Sequence, residues 1–211
     1  MIGENFQFGK LNLKIEKFIG KGKSGHSYLA MDENNKKYVV KKIHDEPCPS
    51  YQFDDKFQSE LDAYEILKNL IKVPKMIYHS REKEVIVKEY IDGEVMSYIV
   101  AENGVNQYHI DAILEMTGIL YPKKINIDYF PSNFVVENGV TYYIDYEVNN
   151  YMDEWNFENW GIYFYANSKG MKKYLHTGAV DEMLISSESG KPIKEGFEER
   201  VKNWLRTKSE L

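Results

Sequence analysis

The dipeptide Asn138-Gly139 separates two runs of strand-forming residues, Phe134-Val135-Val136-Glu137 and Val140-Thr141-Tyr142-Tyr143-Ile144. Asn and Gly tolerate the positive φ angles of a tight two-residue turn, so this pattern predicts an antiparallel hairpin. Pairing 137 with 140 and 136 with 141 sets Asn133 opposite Ile144, and therefore beside Asp145. Asp128 lies just upstream in Asp128-Tyr129-Phe130-Pro131-Ser132-Asn133, and Glu147 follows Asp145. An amide oxygen and a carboxylate oxygen brought together are hard ligands that suit Mg²⁺ carrying nucleotide phosphates. A separate carboxylate suits a proton acceptor. The arrangement is that of a phosphoryl-transfer site.

The chain has 211 residues, 43% hydrophobic and 28% charged, the make-up of an ordinary globular protein with one compact domain or two small lobes. Its net charge of −6 argues against nucleic acid or an acidic membrane as the main partner. With Cys48 as the sole cysteine, an internal disulfide is excluded and a reducing compartment is expected. Met1 to Lys14 holds no apolar run of the signal-peptide kind, and no later segment reads as a membrane span. A cytoplasmic location is the expectation.

Residues 12–19, 26–31 and 36–43 alternate apolar and polar positions and are separated by Gly-rich and Asp32-Glu33-Asn34-Asn35 turns. They predict three antiparallel strands. From Asp54 to Leu70 the positions Phe57, Leu61, Tyr64, Leu67 and Ile71 recur at helical spacing, and Pro74 ends the helix. Short strands follow near 75–79 and 84–90, then mainly helix over 94–120 with a break at Asn103-Gly104. The aromatic stretch Tyr151 to Tyr165 reads as helical in its second half. A polar segment, Ser186 to Lys191, precedes a last amphipathic helix carrying Phe197, Val201 and Trp204. Five strands with one inserted helix, followed by helices around a hairpin, predict an α+β chain of two lobes joined near Ile91 to Gly93.

Gly20-Lys21-Gly22-Lys23-Ser24-Gly25 fits GxGxxG, a weak signal alone. A dinucleotide fingerprint or a P-loop needs a helix after the glycines, whereas His26 to Met31 reads as a strand, and a P-loop needs Gly where Lys17 stands. A strand–loop–strand lid covering phosphates with backbone N–H groups fits the flanks, with a plain glycine-rich turn as the other reading. In Tyr38-Val39-Val40-Lys41-Lys42-Ile43, alternation places Lys41 on the face of Val39 and Ile43. A lysine on an apolar face needs an anionic partner, which a phosphate or Glu60 would supply. Lys42 points to the other face.

These motifs together resemble the protein kinase-like superfamily, which includes eukaryotic-type Ser/Thr kinases, RIO and Bud32-type kinases, and choline and aminoglycoside phosphotransferases. The likeness covers roughly residues 15–165 and follows the family order: glycine loop, Lys41, Glu60, Glu89-Tyr90-Ile91-Asp92-Gly93, Asp128 to Asn133, and Asp145. The chain is also similar to short bacterial proteins described as Ser/Thr protein kinases. The resemblance implies a two-lobed kinase-like fold: an antiparallel N-lobe sheet with one helix over about 1–91, a hinge at about 89–93, and a small, mainly helical C-lobe with a catalytic hairpin over about 94–211. It implies an ATP- and Mg²⁺-dependent phosphotransferase. Gly20, Gly22 and Gly25 would cover the phosphates; Lys41 would hold the α- and β-phosphates and pair with Glu60. Backbone groups from Glu89 to Ile91 would read adenine. Asp128 would take the acceptor's proton, and Asn133 and Asp145 would hold Mg²⁺.

Several positions depart from the family. Asn126-Ile127 stands where His-Arg or His-Gly usually precedes the aspartate, which argues against control by a phosphorylated activation loop. Phe130 replaces the lysine usual in protein kinases, and Tyr146-Glu147 replaces Phe-Gly, as in the small-molecule branch. Glu147 would either touch a second metal or cap the next segment. No Ala-Pro-Glu triplet follows. The aromatics Trp155, Phe157, Trp160, Tyr163 and Phe164 read as core, with an acceptor-binding wall as the alternative. Lys88 occupies a position usually apolar beside adenine and is expected to point out of the pocket. His44-Asp45-Glu46-Pro47-Cys48 reads as a solvated loop, since one cysteine and one histidine do not make a zinc site. The acceptor is a protein Ser/Thr hydroxyl or a small-molecule alcohol. Residues 166–211 offer little material for a small-molecule pocket, which favours protein. A nucleotide-binding pseudokinase is the rival class.

Overall fold

Alternation in the first ninety residues builds a six-stranded antiparallel sheet in the order β1-β2-β3-β4-β6-β5. The computed structural model describes residues 2–44, 46 and 55–206. Its strands are β1 (Asn5–Phe8), β2 (Leu11–Lys21), β3 (Gly25–Met31), β4 (Lys37–Ile43), β5 (Met76–Ser80) and β6 (Val85–Glu89). The sheet has one strand more than the sequence predicted. The tetrapeptide Asn5–Phe8 is too short to show a period, yet Gly9 at φ 63° turns it onto β2, where Phe8 is buried. One face of the sheet gathers Phe8, Leu13, Ile15, Ala30, Tyr38, Val40, Val85 and Val87 into a core.

The Asp32 turn closes by local hydrogen bonding: Asp32 Oδ1 accepts from Asn34 N–H (2.8 Å) and Lys36 N–H (3.0 Å), while Asn35 takes φ 60°. Between β4 and β5 lies helix α1 (Lys56–Leu67), which buries Phe57, Glu60, Ala63 and Leu67. Phe57, Leu67 and Ile71 of the predicted face are buried; Glu60 and Ala63 also turn inward, while Leu61 and Tyr64 are half-buried. The helix ends at Leu67, ahead of Leu70. The predicted start at Asp54, together with Asp45, Pro47 and Cys48, lies outside the described residues.

The chain divides into two compact units, residues 1–69 with 73–91 and residues 70–72 with 92–211. In the second, β9 (Phe134–Glu137) and β10 (Val140–Tyr143) pair 137 with 140 and 136 with 141, as the sequence predicted. Asn138 at φ 49° and Gly139 at φ 77° form the turn. The short β7 (Glu94–Val95) adds to β9, giving the order β10-β9-β7. A Cβ on Gly93 would fall 2.2 Å from the Val136 carbonyl oxygen, so only glycine fits there. The pair β8 (Ile125–Asn126) and β11 (Asn149–Asn150) brackets the hairpin in sequence.

Helices α2 (Met96–Ala101) and α3 (Gln107–Leu120) follow the predicted break at Asn103-Gly104, where Asn103 adopts φ 56°. A π-helical turn, Phe157–Gly161, leads into α4 (Ile162–Ala166). Helix α5 (Ser168–Thr177), not predicted from sequence, packs on α2. Helix α6 (Glu198–Arg206) buries Val201 and Trp204, as its amphipathic pattern required. Among the described residues no helix is long and apolar enough to cross a membrane.

Asp55 caps α1, accepting the Gln58 N–H at 3.0 Å, and pairs with Arg81 (Nη1 at 2.7 Å). The Arg81 contact first, and then the Gln58 N–H, hold the Asp55 carboxyl down from 3.8 to about 2. A depressed carboxyl contributes stability above its unfolded value and loses it as pH falls through the folded one. The thermal-midpoint advantage of the native chain over Asp55→Asn is therefore expected above pH 3.8 and should shrink as pH falls through about 2. A gap that stays constant across this range would remove the ion pair as its cause.

Candidate active site

In the first unit, β4 brings Lys41 and α1 brings Glu60 into direct contact, with side chains only 6% and 5% exposed. Ser24, in the glycine loop, donates its hydroxyl to the same Glu60 oxygen, Oε1. The other oxygen, Oε2, is buried without a hydrogen-bond partner. A buried carboxylate with one unsatisfied oxygen costs about 1–3 kcal/mol relative to a fully paired one. The arrangement therefore holds the Lys41 ammonium in place without being optimal for stability. The sequence read Ser24 only within Gly22-Lys23-Ser24, which resembles the end of a P-loop; its contact with Glu60 was not expected.

The glycine loop joins antiparallel β2 and β3 directly, closed by Gly22 N–H to Gly25 carbonyl (2.8 Å) and His44 N–H to Ser24 carbonyl (3.0 Å). Its glycines differ. A Cβ on Gly25 would lie 2.6 Å from the Lys42 carbonyl oxygen, whereas one on Gly20 meets nothing within 4 Å. Gly22 is nearly as open. Cross-strand register places Ser27, Lys41 and Ile86 in one row and Leu29, Val39 and Lys88 in the next, all on the face opposite the Phe8–Val87 core. Lys88 is 6% exposed, so it is buried on the Lys41 face. At the end of β6, Glu89 N–H donates to the Lys75 carbonyl (2.9 Å), its side chain accepts the Lys75 N–H (3.2 Å), and Ile91 is buried.

In the second unit, the hairpin register carries through to Ile144 N–H donating to the Asn133 carbonyl at 2.8 Å. Asp128 Oδ1 accepts the Phe130 N–H (3.0 Å), which fixes its carboxylate within the loop. The Asn133 amide donates to the Asp128 carbonyl (3.2 Å), turning its Nδ2 inward. Asp145 Oδ1 accepts the Tyr146 N–H at 2.9 Å. All four polar residues, Asp128, Asn133, Asp145 and Glu147, are half-buried. Their convergence registers at Tyr143, whose hydroxyl donates to the Glu147 carbonyl (3.2 Å). Burial first, and then the negative fields of Asp145, Glu147 and Asp128, push that hydroxyl well above its ordinary range. Tyr143 went unnoticed in the sequence, although alternation from Asp145 back along β10 points it inward.

Aromatic packing sets the loop that carries Asp128. Tyr129 is fully buried against Phe157 (ring centroids 5.5 Å), and a Cβ on Gly161 would fall 2.5 Å from the Tyr129 Cβ. Phe130 makes edge contacts with Phe164 (5.1 Å) and Tyr174 (5.0 Å). Asn126 donates its amide to the Trp155 carbonyl (2.9 Å), and Ile127 is buried. Phe157 and Phe164 are core residues, while Trp155, Trp160 and Tyr163 are half-buried.

Asn133 and Asp145 offer oxygen donors, the chemistry that suits Mg²⁺, while Glu147 Oε1 accepts the Asn149 amide N–H (3.0 Å). An Asn133 amide whose nitrogen faces the Asp128 carbonyl has its Oδ1 as the remaining coordinating atom.

A solved structure similar to this chain is described as the crystal structure of the BubR1 kinase domain. It matches at 19% identity and a TM-score of 0.50, over 73% of this chain and 53% of that one. The chain thus spans about half the length of this neighbour, and the likeness establishes the fold: kinase-like. No family model matches the chain, and no curated protein does.

Breaking a buried ion pair by removing one partner costs about 3–5 kcal/mol, whereas replacing both with apolar residues is often neutral. Lys41→Met is expected to destabilise the chain by that amount in urea unfolding, and Lys41→Met/Glu60→Met to recover most of the loss. Equal loss in both would show that the pair is not energetically coupled. For the glycines, Gly25→Ala should cost about 1–3 kcal/mol through its backbone clash. Gly20→Ala should stay within about 0.5 kcal/mol. Equal effects would remove the distinction between them.

Proposed function

We propose that the chain is an ATP- and Mg²⁺-dependent phosphotransferase that moves the γ-phosphate to a hydroxyl, most fittingly of a protein Ser or Thr. The observation that carries this reading is the buried Lys41–Glu60 pair beside a glycine loop in a kinase-like fold. A lysine kept charged and oriented at the expense of an unsatisfied Glu60 oxygen suits a chain that must meet phosphate. Gly20 and Gly22 leave their backbone open to close approach.

In this reading Lys41 binds the α- and β-phosphates, and Glu60 holds its ammonium in place. Asp128 orients the acceptor hydroxyl and takes its proton as the acceptor oxygen bonds to the γ-phosphorus and the bond to ADP breaks. Asn133 and Asp145 would hold Mg²⁺, which would supply positive charge to the phosphates. Residues 89–91 provide the backbone for base recognition. A small-molecule alcohol is the second reading for the acceptor. Phe130 favours it: the side chain is committed to Phe164 and Tyr174, and no lysine stands there for the transferring phosphate.

The test is γ-phosphate transfer from labelled ATP with Mg²⁺, following label into the chain itself, added protein and small molecules of a cell extract. Asp128→Ala and Asp145→Ala are each expected to lower transfer ~100-fold or more. The labelled fraction then identifies the acceptor class. ATP binding without transfer under any condition would move the chain to the pseudokinase class, and no ATP binding would overturn the site.

A further inference from the structure

The sequence places His44 and Glu46 together, and the structure adds a third donor from across the sheet. Register pairs His26 of β3 with Lys42 of β4, so His26 shares a face with His44 two residues further on. The His26 and His44 rings lie 4.9 Å apart. One ligand atom from each of His26, His44 and Glu46 lies within 4.8 Å of the others. Both imidazoles are half-buried and the carboxylate is exposed. We propose that His26, His44 and Glu46 form a binding site for a borderline divalent transition metal of the Zn²⁺ class.

The chemistry favours that class. Bonds of roughly 2.0–2.1 Å set tetrahedral ligand edges near 3.4 Å, so the three atoms need to close by only about an ångström, within reach of ring rotation. His44 is already oriented: its Nε2 meets the Gly22 carbonyl at 3.3 Å. With Nε2–H donated there, Nδ1 presents a lone pair, which now accepts the Glu46 N–H at 3.2 Å. A bound metal would take that N–H's place.

The lysines at and near the cluster already have partners. Lys21 pairs with Glu46, Lys56 reaches the His44 and Glu46 carbonyls, and Lys42 extends to the Lys83 carbonyl. Their field opposes any divalent cation, so binding rests on the imidazole lone pairs, which favour a borderline metal over Mg²⁺ or Ca²⁺. Three protein ligands leave a fourth position for water. Because His26 directly follows Gly25 and His44 contacts Gly22, a bound ion ties both ends of the glycine loop to the segment after β4. The site stands independently of the phosphotransfer reading, since its donors and its assay involve no nucleotide.

Zn²⁺ titrated calorimetrically into the full chain, with Co²⁺ absorption as the spectroscopic probe, tests the proposal. One equivalent is expected, weakened ~10-fold or more by His26→Ala and by His44→Ala, and unchanged by His176→Ala. Thermal unfolding without metal checks that each variant is folded. No binding by the native chain would overturn the site. So would binding that both histidine variants retain, or that Cys48→Ser alone abolishes.

Discussion

The contact between Lys41 and Glu60 governs the first unit, because two buried charges allow few arrangements of the elements that carry them. It explains why α1 turns Glu60 and Ala63 inward although Leu61 and Tyr64 are the more apolar choices. It also draws Ser24, and with it the glycine loop, toward the helix. Apolar residues of similar volume would pack here at lower cost. What the ion pair provides is a single orientation of one ammonium group, and the proposed chemistry needs that orientation more than it needs stability.

The second unit fixes its carboxylates by different means. The loop that carries Asp128 is held by rings. Tyr129 packs on Phe157 and against Gly161, Phe130 packs on Phe164 and Tyr174, and Asn126 ties the strand before the loop to Trp155. Where kinase-like sequences usually carry His-Arg, this chain uses a short amide and a buried isoleucine, and aromatic packing positions the loop. The charges of Asp145, Glu147 and Asp128 act on the buried Tyr143 hydroxyl.

The parts of this fold that were legible in the sequence are those set by neighbours in the chain. Asn138-Gly139 specified the hairpin register, and period-two alternation specified β2 to β4. Lys41 and Glu60 were legible as partners because one lysine on an apolar strand face needed an anion. What escaped depends on distant segments. Strand β1 exists because Gly9 folds four residues back onto β2, and α5 because α2 offers it a surface. The predicted α1 face holds at Phe57, Leu67 and Ile71, but apolarity ranks Leu61 above Glu60, and Lys41 reverses that order. Lys88 was expected to face away from the pocket, yet β4–β6 pairing sets it beside Val39 on the Lys41 face.

That pairing shows how narrow the register tolerance is. One face of the sheet carries Tyr38, Val40, Val85 and Val87 in a dry core, and the other carries Lys41, Ile86 and Lys88. A slip of one residue in β4 would drive Lys41 into the apolar core and expose Val40. The core thus pins the cation: Val40 beside Val87 and Tyr38 beside Ala30 fix where Lys41 must point. Two bulges in β2, at Glu16 and Ile19, shift the register before the glycine loop while β4 runs without interruption. The irregularity falls on the strand that leads to the open glycines, and the regular strand carries the lysine. The position of the Lys41 ammonium is thereby set by the least deformable part of the sheet.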